Sequence, residues 1–158
     1  MTDERGSAAV TVIVFMPLLV ALLAGVIELG ALRVIAARVS SAADLATLAA
    51  ADDQDESALV ATGKLRLPPD AVPIARQFFA ANLAQIAPHL ATTPETAAAE
   101  ADVIAFTDAP AIDPLTGWRY DRPTVRIAAS VPVRVPVFGA LLLPPVVTVN
   151  VRTASAAR

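Results

Sequence analysis

The sequence has no cysteine. Disulfide frameworks, thiolate nucleophiles and Cys-based metal sites are therefore excluded, although the absence assigns no compartment. Aromatic residues are scarce at 4%, charged residues make up 17%, and there is one histidine, His89. His89 follows Pro88 at the end of a helical pattern with no motif around it, and reads as a surface residue at a helix end. No GxSxG, P-loop, HExxH or CxxC spacing occurs, and Gly6, Gly25, Gly30 and Gly139 have no phosphate-loop arrangement. Nothing in this inventory argues for an enzyme, a cofactor or a resident metal. The basic residues, eleven Arg and Lys64, are scattered, and the net charge is −3. A nucleic-acid footprint needs a basic patch, so no nucleic-acid partner is expected.

What the chain has in excess is apolar surface. Hydrophobic residues reach 56%, mostly Ala, Val and Leu, against about 45–50% in ordinary soluble domains. Intrinsic disorder is excluded as the main description, because it requires low hydrophobicity and high net charge. The 158 residues suit one small domain with an appendage. The excess is concentrated at the front: 22 residues without a charge, GSAAVTVIVFMPLLVALLAGVI, lie between Arg5 and Glu28. About 20 apolar residues at ~1.5 Å rise cross a hydrocarbon core of ~30 Å. Gly6, Ser7, Thr11, Pro17 and Gly25 interrupt the run, and Pro and Thr are tolerated in membrane helices.

The run therefore reads as a membrane span. A cleaved secretory signal would have a basic start and a shorter apolar core, whereas this start is TDER. A buried core helix is usually shorter, about 10–14 apolar residues. Arg5 precedes the span and Arg33 and Arg38 follow it, so the positive-inside bias gives no clear orientation. Residues 1–6 read as a short leader-like tail. Glu28 ends the run, where interfacial solvation is the simpler account and a paired intramembrane role the sharper one.

From Leu29 to Ala51 there is no Pro, and helix formers dominate. Leu32, Ile35, Val39, Ala42, Ala46 and Ala49 recur at steps of three and four, which places them on one stripe of a helix. Arg33, Ser40, Asp44 and Thr47 lie off it. The stripe shrinks to alanines away from the membrane, which suits close helix contact. Packing of the protein's own globular part and contact with another protein are both open for this face. Residues 7–51 thus read as one transmembrane and stalk helix of roughly 65–70 Å. The acidic cluster Asp52, Asp53, Asp55 and Glu56 follows. It lacks the EF-hand spacing and reads as a solvated loop opening a linker over 52–71.

The remainder, 72–158, reads as a small α+β head. A short helix is predicted over Val72–Ala87, with Asp70 as candidate N-cap, Pro73 in the first turn and Pro88 as terminator. Its apolar face is Val72, Ala75, Phe79, Leu83, Ile86 and Leu90. Val125, Ile127, Ala129, Val131, Val133 and Val135 alternate with more polar neighbours, the period of a half-buried strand. Pro132 and Pro136 place the later part at an edge or bulge. Val147, Val149 and Val151 alternate likewise, residues 102–107 form a third candidate, and the turn IDPLTGW leads into a short strand near Trp118–Tyr120. Three or four antiparallel strands with one helix on a face are expected. Between the two best strands, Phe138, Leu141, Leu142 and Leu143 make an apolar connection. It is expected to tuck under the sheet, the alternative being a contact surface for membrane or partner.

The segment ERGSAAVTVIVFMPLLVALLAGVIELGALRVIAARVSSAADLATLAAADD resembles the amino-terminal region of TadE/TadG-like proteins of the tight-adherence (Flp-type) pilus system. Arg5-Gly6, the span with Pro17 inside it, the ELG at 28–30 and the AADLATLAAA at 42–51 carry the resemblance. It implies a single-pass structural protein of the bacterial inner membrane with an extracytoplasmic C-terminal part. Its partners would be pilus-assembly proteins or pilin-like subunits. The resemblance also implies a prepilin-peptidase cut, for which Gly6 and Ser7 are the only candidates. Thr11 stands where processed pilins carry Glu, so it cannot form the ion pair that makes an intramembrane acid tolerable. That departure favours an uncleaved anchor. A membrane-anchored binding module unrelated to pili is the alternative from another functional class.

Overall fold

The computed structural model describes the backbone of residues 4–140 and 143–158, and the side chains of 12–139 and 143–158. Residues 1–3 of the expected leader-like tail, and Leu141 and Leu142 of the apolar connection, lie outside the described residues. Helix α1 spans Glu4–Asp52, with Pro17 inside it. The acidic cluster then divides. Asp52 closes α1, and Asp55 caps a short helix α2, Glu56–Thr62, its carboxylate accepting from the Ala58 N–H at 3.0 Å. Bonds from the Ser57 hydroxyl and the Ala58 amide hold the Asp55 carboxyl below its ordinary range. Gly63, at φ 68°, supplies the left-handed residue that ends α2.

Helix α3 spans Ala71–Leu83 and buries Ala71, Ala75, Phe79 and Leu83, one residue per four along a single face. Asp70 sits at its N-cap position without a side-chain cap bond. The helix ends earlier than the Pro88 rule predicts, because a 3-10 turn over Ala84–His89 takes over. In a continued α-helix the Pro88 ring would collide with the Ala84 carbonyl; the tighter turn carries Ile86 and Leu90 into the core all the same. Helix α4, Pro94–Glu100, is opened by the Thr93 hydroxyl, which accepts from the Thr96 N–H at 3.1 Å.

The strands are β1 (Asp102–Phe106), β2 (Ala111–Ile112), β3 (Arg119–Tyr120), β4 (Thr124–Arg134) and β5 (Val146–Ala156), with the short helix α5 (Pro136–Ala140) between the last two. They form an antiparallel three-stranded sheet in the order β1-β4-β5 and a separate two-stranded β2-β3 hairpin. This corrects two expectations: the head holds several helices instead of one, and its strands do not make a single sheet. Pro132 sits where β4 has run past β1. Its carbonyl accepts from the Ala91 N–H at 2.9 Å. The residue's backbone therefore points away from β5, and its missing donor costs the β4-β5 ladder nothing.

Alternation gives the sheet two faces. Val125, Ile127, Ala129, Val131 and Val133 are buried on the inner one, opposite Val103 of β1 and level with Val147, Val149 and Val151 of β5. α1 and α3 close this core. On the outer face Arg126 departs from the expected solvated pattern, being 1% exposed. Its Nη2 donates to Asp102 at 2.8 Å, and its Nε lies 3.4 Å from the Asp113 carboxylate, an ion pair not aligned as a hydrogen bond. Asp113 is fully buried in the turn between β2 and β3, where it accepts from the Leu115 N–H at 3.0 Å and the Thr116 hydroxyl at 2.8 Å. Gly117, at φ 70°, completes that turn. The hairpin thus folds over the outer face, with the Tyr120 ring tilted against that of Phe106 at 5.2 Å between centroids.

Burial alone would raise the Asp113 carboxyl, but its bonds from Leu115 and Thr116 and the charges of Arg126 and Arg152 outweigh it and hold the group below its ordinary value. A depressed folded-state value contributes stability at pH above the unfolded value. That contribution is lost as pH falls through the folded one. Asp113→Ala is expected to cost about 3 kcal/mol, since it removes the buried counter-charge and leaves the buried Arg126 with only the half-exposed Asp102 to compensate it. Urea unfolding of the full chain in detergent checks this. The loss should be largest near neutral pH and shrink in acid, where wild-type Asp113 is itself protonated.

Candidate functional site

Helix α1 is the feature from which a function can be read, and it has two halves. Every large apolar side chain along it from Val12 to Leu29 is more than half exposed, Ile13 reaching 70%. Isolated apolar residues are common on protein surfaces, but a contiguous apolar surface of this extent marks contact with lipid or a partner. The described part of α1 is long and apolar enough to cross a membrane. Glu28 is half-buried at the end of the charge-free run. Gly6, Ser7 and Thr11 lie on α1, but their side chains are outside the described ones.

The second half of α1 is seated in the head. Ile35, Val39, Ala42, Ala43, Ala46, Ala50 and Ala51 are buried, and Leu32 packs on the edge of the same core. Of the predicted stripe, Ile35, Val39, Ala42 and Ala46 are buried, whereas Leu32 and Ala49 are half-buried. The face is turned toward α3 and the inner surface of β4 and β5 of the same chain. Alanine suits this seat because the helix lies against two layers at once, and larger side chains would hold it off the sheet.

Polar ties that the stripe does not include fix the register of the seat. Thr47 is fully buried, and its hydroxyl lies 2.8 Å from that of Ser155 while donating to the Asp44 carbonyl at 2.9 Å. The Thr153 hydroxyl donates to the Asp44 carboxylate, and the Gln54 amide donates to the Arg158 carbonyl at 2.6 Å. Asp44 and Thr47 are three residues apart, one turn of α1, and they meet Thr153 and Ser155, two residues apart on one face of β5. Helix spacing alone puts Thr47 off the apolar stripe; the signal that could have placed it is the matching hydroxyl pattern at 153 and 155.

Elsewhere the head offers an open groove of about 570 Å³ on the outer sheet face, lined by Ser130, Asn150 and Arg152 among others. The Ser130 hydroxyl is bonded to Asn150 at 2.7 Å. His89 is exposed at the end of the 3-10 turn and does not line this groove. Among the described residues no group of three or more His, Cys, Asp or Glu is placed to hold a metal ion.

Among known families, the one described as "Putative Flp pilus-assembly TadE/G-like" matches residues 6–53. The matched segment and α1, Glu4–Asp52, are nearly the same residues, and the head lies outside the match. No curated protein and no solved structure matches the chain.

The seat makes a direct prediction. Ala46 has no accessible surface, so Ala46→Leu should overpack the interface and destabilise the head by about 1–3 kcal/mol. Thermal unfolding in detergent, followed through the single tryptophan, Trp118, should show a lower midpoint. Val20→Leu, on the exposed half, should leave that midpoint unchanged.

Proposed function

We propose that the chain is a single-pass, membrane-anchored structural component of a TadE/TadG-like pilus-assembly or adherence system, acting through helix packing and not catalysis. One observation carries the reading: the segment matching the family is the helix whose first half presents apolar surface and whose second half builds the head's core. A span and a rigid stalk in one uninterrupted helix transmit position between bilayer and head without a hinge. At 49 residues the helix is about 73 Å long, more than twice the ~30 Å hydrocarbon thickness. The head would then stand on the extracytoplasmic side of the bacterial inner membrane, presented to pilin-like subunits or other assembly proteins.

Cleavage after Gly6 is the step on which pilin-like and anchor-like behaviour diverge. A new terminal amine at Ser7 would lie near residue 11, where Thr offers no charge to pair with it. The chain is therefore proposed to keep its N-terminal tail. Intact-mass measurement of the native protein should show the residues ahead of Ser7 retained; a start at Ser7 would reverse the assignment.

The role itself is tested in the bacterium that encodes the chain. Deleting the gene should abolish surface pili or tight adherence, and the wild-type chain should restore them. A Leu19→Arg/Leu22→Arg chain should not, because each Arg at a span centre costs about 2.5–3.5 kcal/mol of insertion. The double variant should also leave the alkaline-washed membrane fraction. Unchanged pili and adherence in the deletion strain, with the wild-type chain of the parent strain held in the alkaline-washed membrane fraction, would favour the binding-module reading.

A further inference from the structure

The β4-β5 hairpin points toward the exposed apolar half of α1. Arg134 pairs with Val146 at its closed end and Thr124 with Ala156 at its open end. β5 lies along α1, aligned by the ties from Asp44 to Thr153, Thr47 to Ser155 and Gln54 to Arg158. Residue numbers rise together on the two elements, so the closed end lies toward the N-terminal half of the helix. From Thr153 back to Val146 the strand covers ~23 Å at ~3.3 Å per residue. The helix covers the same distance in about 15 residues, which leads from Asp44 back to the neighbourhood of Leu29. Packing agrees, since α5 touches α1 and Leu32 rests on the head's core. The hairpin tip is therefore level with Glu28, where the charge-free run ends.

The tip has the composition of an interfacial segment. Val137 and Phe138 are half-buried, while Leu143 is 49% and Val146 42% exposed. For Leu143 this corrects the expectation of an apolar connection tucked beneath the sheet, because its side chain turns outward. Three backbone donors of the tip's described residues are satisfied within it. Leu143 N–H bonds to Phe138 C=O at 2.8 Å, Phe138 N–H to Val135 C=O at 3.1 Å, and Val135 N–H to Pro145 C=O at 2.8 Å. Pro136, Pro144 and Pro145 have no N–H to satisfy. A segment leaving water requires that closure. Arg134 at the base of the tip and Arg33 on α1 are exposed at the same level, placed to meet lipid phosphates while apolar neighbours lie deeper.

We propose that Val137, Phe138, Leu143 and Val146 form a second membrane contact, resting in the lipid interface beside α1 and holding the head against the bilayer. This rests on α1 spanning the membrane, and the test separates the two. Because the chain lacks cysteine, single-site labels are unambiguous. Leu143→Cys, Leu22→Cys and Val60→Cys chains, each carrying an environment-sensitive fluorophore, would be reconstituted at full length in phosphatidylcholine–phosphatidylglycerol vesicles containing spin-labelled quencher lipids. The label at 143 should be blue-shifted and quenched most by shallow quenchers, that at 22 by deep ones. The label at 60, on the far side of the head and 88% exposed in the native chain, should be unaffected. A water-like, unquenched label at 143 beside a deeply quenched one at 22 overturns the proposal and leaves the span intact. An unquenched label at 22 overturns both. A blue shift at 143 that is insensitive to quencher lipids and fades as protein is diluted in lipid would assign the tip to a second copy of the chain, overturning the lipid contact.

Discussion

One helix serves two solvents, and the rest of the structure follows from where the change occurs. From Val12 to Leu29 the large side chains of α1 face outward. From Ile35 onward it is a structural layer of the head, supplying seven of the buried apolar residues of the core. The inner face of β4 and β5 is rich in Val and has no other layer long enough to cover it, because α3 has 13 residues and α4 seven. The head's hydrophobic burial thus depends on a segment that also continues into the apolar half. Separating anchor from head would leave the Val-rich face open to water at roughly 25 cal/mol per Å² exposed.

The outer face is organised by a different force. Arg126 on the central strand is too costly to bury alone. Asp102 from the adjacent strand and Asp113 from the β2-β3 hairpin compensate it. Asp113 in turn shapes its own turn by accepting from Leu115 and Thr116. A single cation therefore ties a two-residue-per-strand hairpin to the main sheet, which such short strands could not achieve through their own ladder. The hydroxyl ties from β5 to α1 do the corresponding work on the inner side. They set register along a smooth Ala surface that would otherwise offer little resistance to sliding.

Much of this was legible in the residues. The charge-free run, the steps of three and four through Ile35, Val39, Ala42 and Ala46, and the alternation through Val125–Val133 are periodic over many residues, and each element lies where its period places it. α2, α4 and α5 were not legible, because helices of five to seven residues carry too few turns for a period to emerge. Thr93-Pro94 and Asp55 are cap signals that mark two of them. Arg126 was hidden for another reason: alternation assigns it to the face away from the core, and only the hairpin folding back makes that face an interior.

The sequence by itself determined that an apolar helix leads into an α+β region, because length, charge and period act locally along the chain. Tertiary structure decided what the local patterns share. It turned the Ala stripe inward onto the protein's own sheet and converted Thr47 from an off-face residue into a buried register tie. It brought Arg126 and Asp113 together across 13 residues of chain. It also set the apolar β4-β5 tip level with the end of the charge-free run. Each of these depends on the angle and register at which α1 meets β5, a long-range packing choice to which no run of neighbouring residues refers.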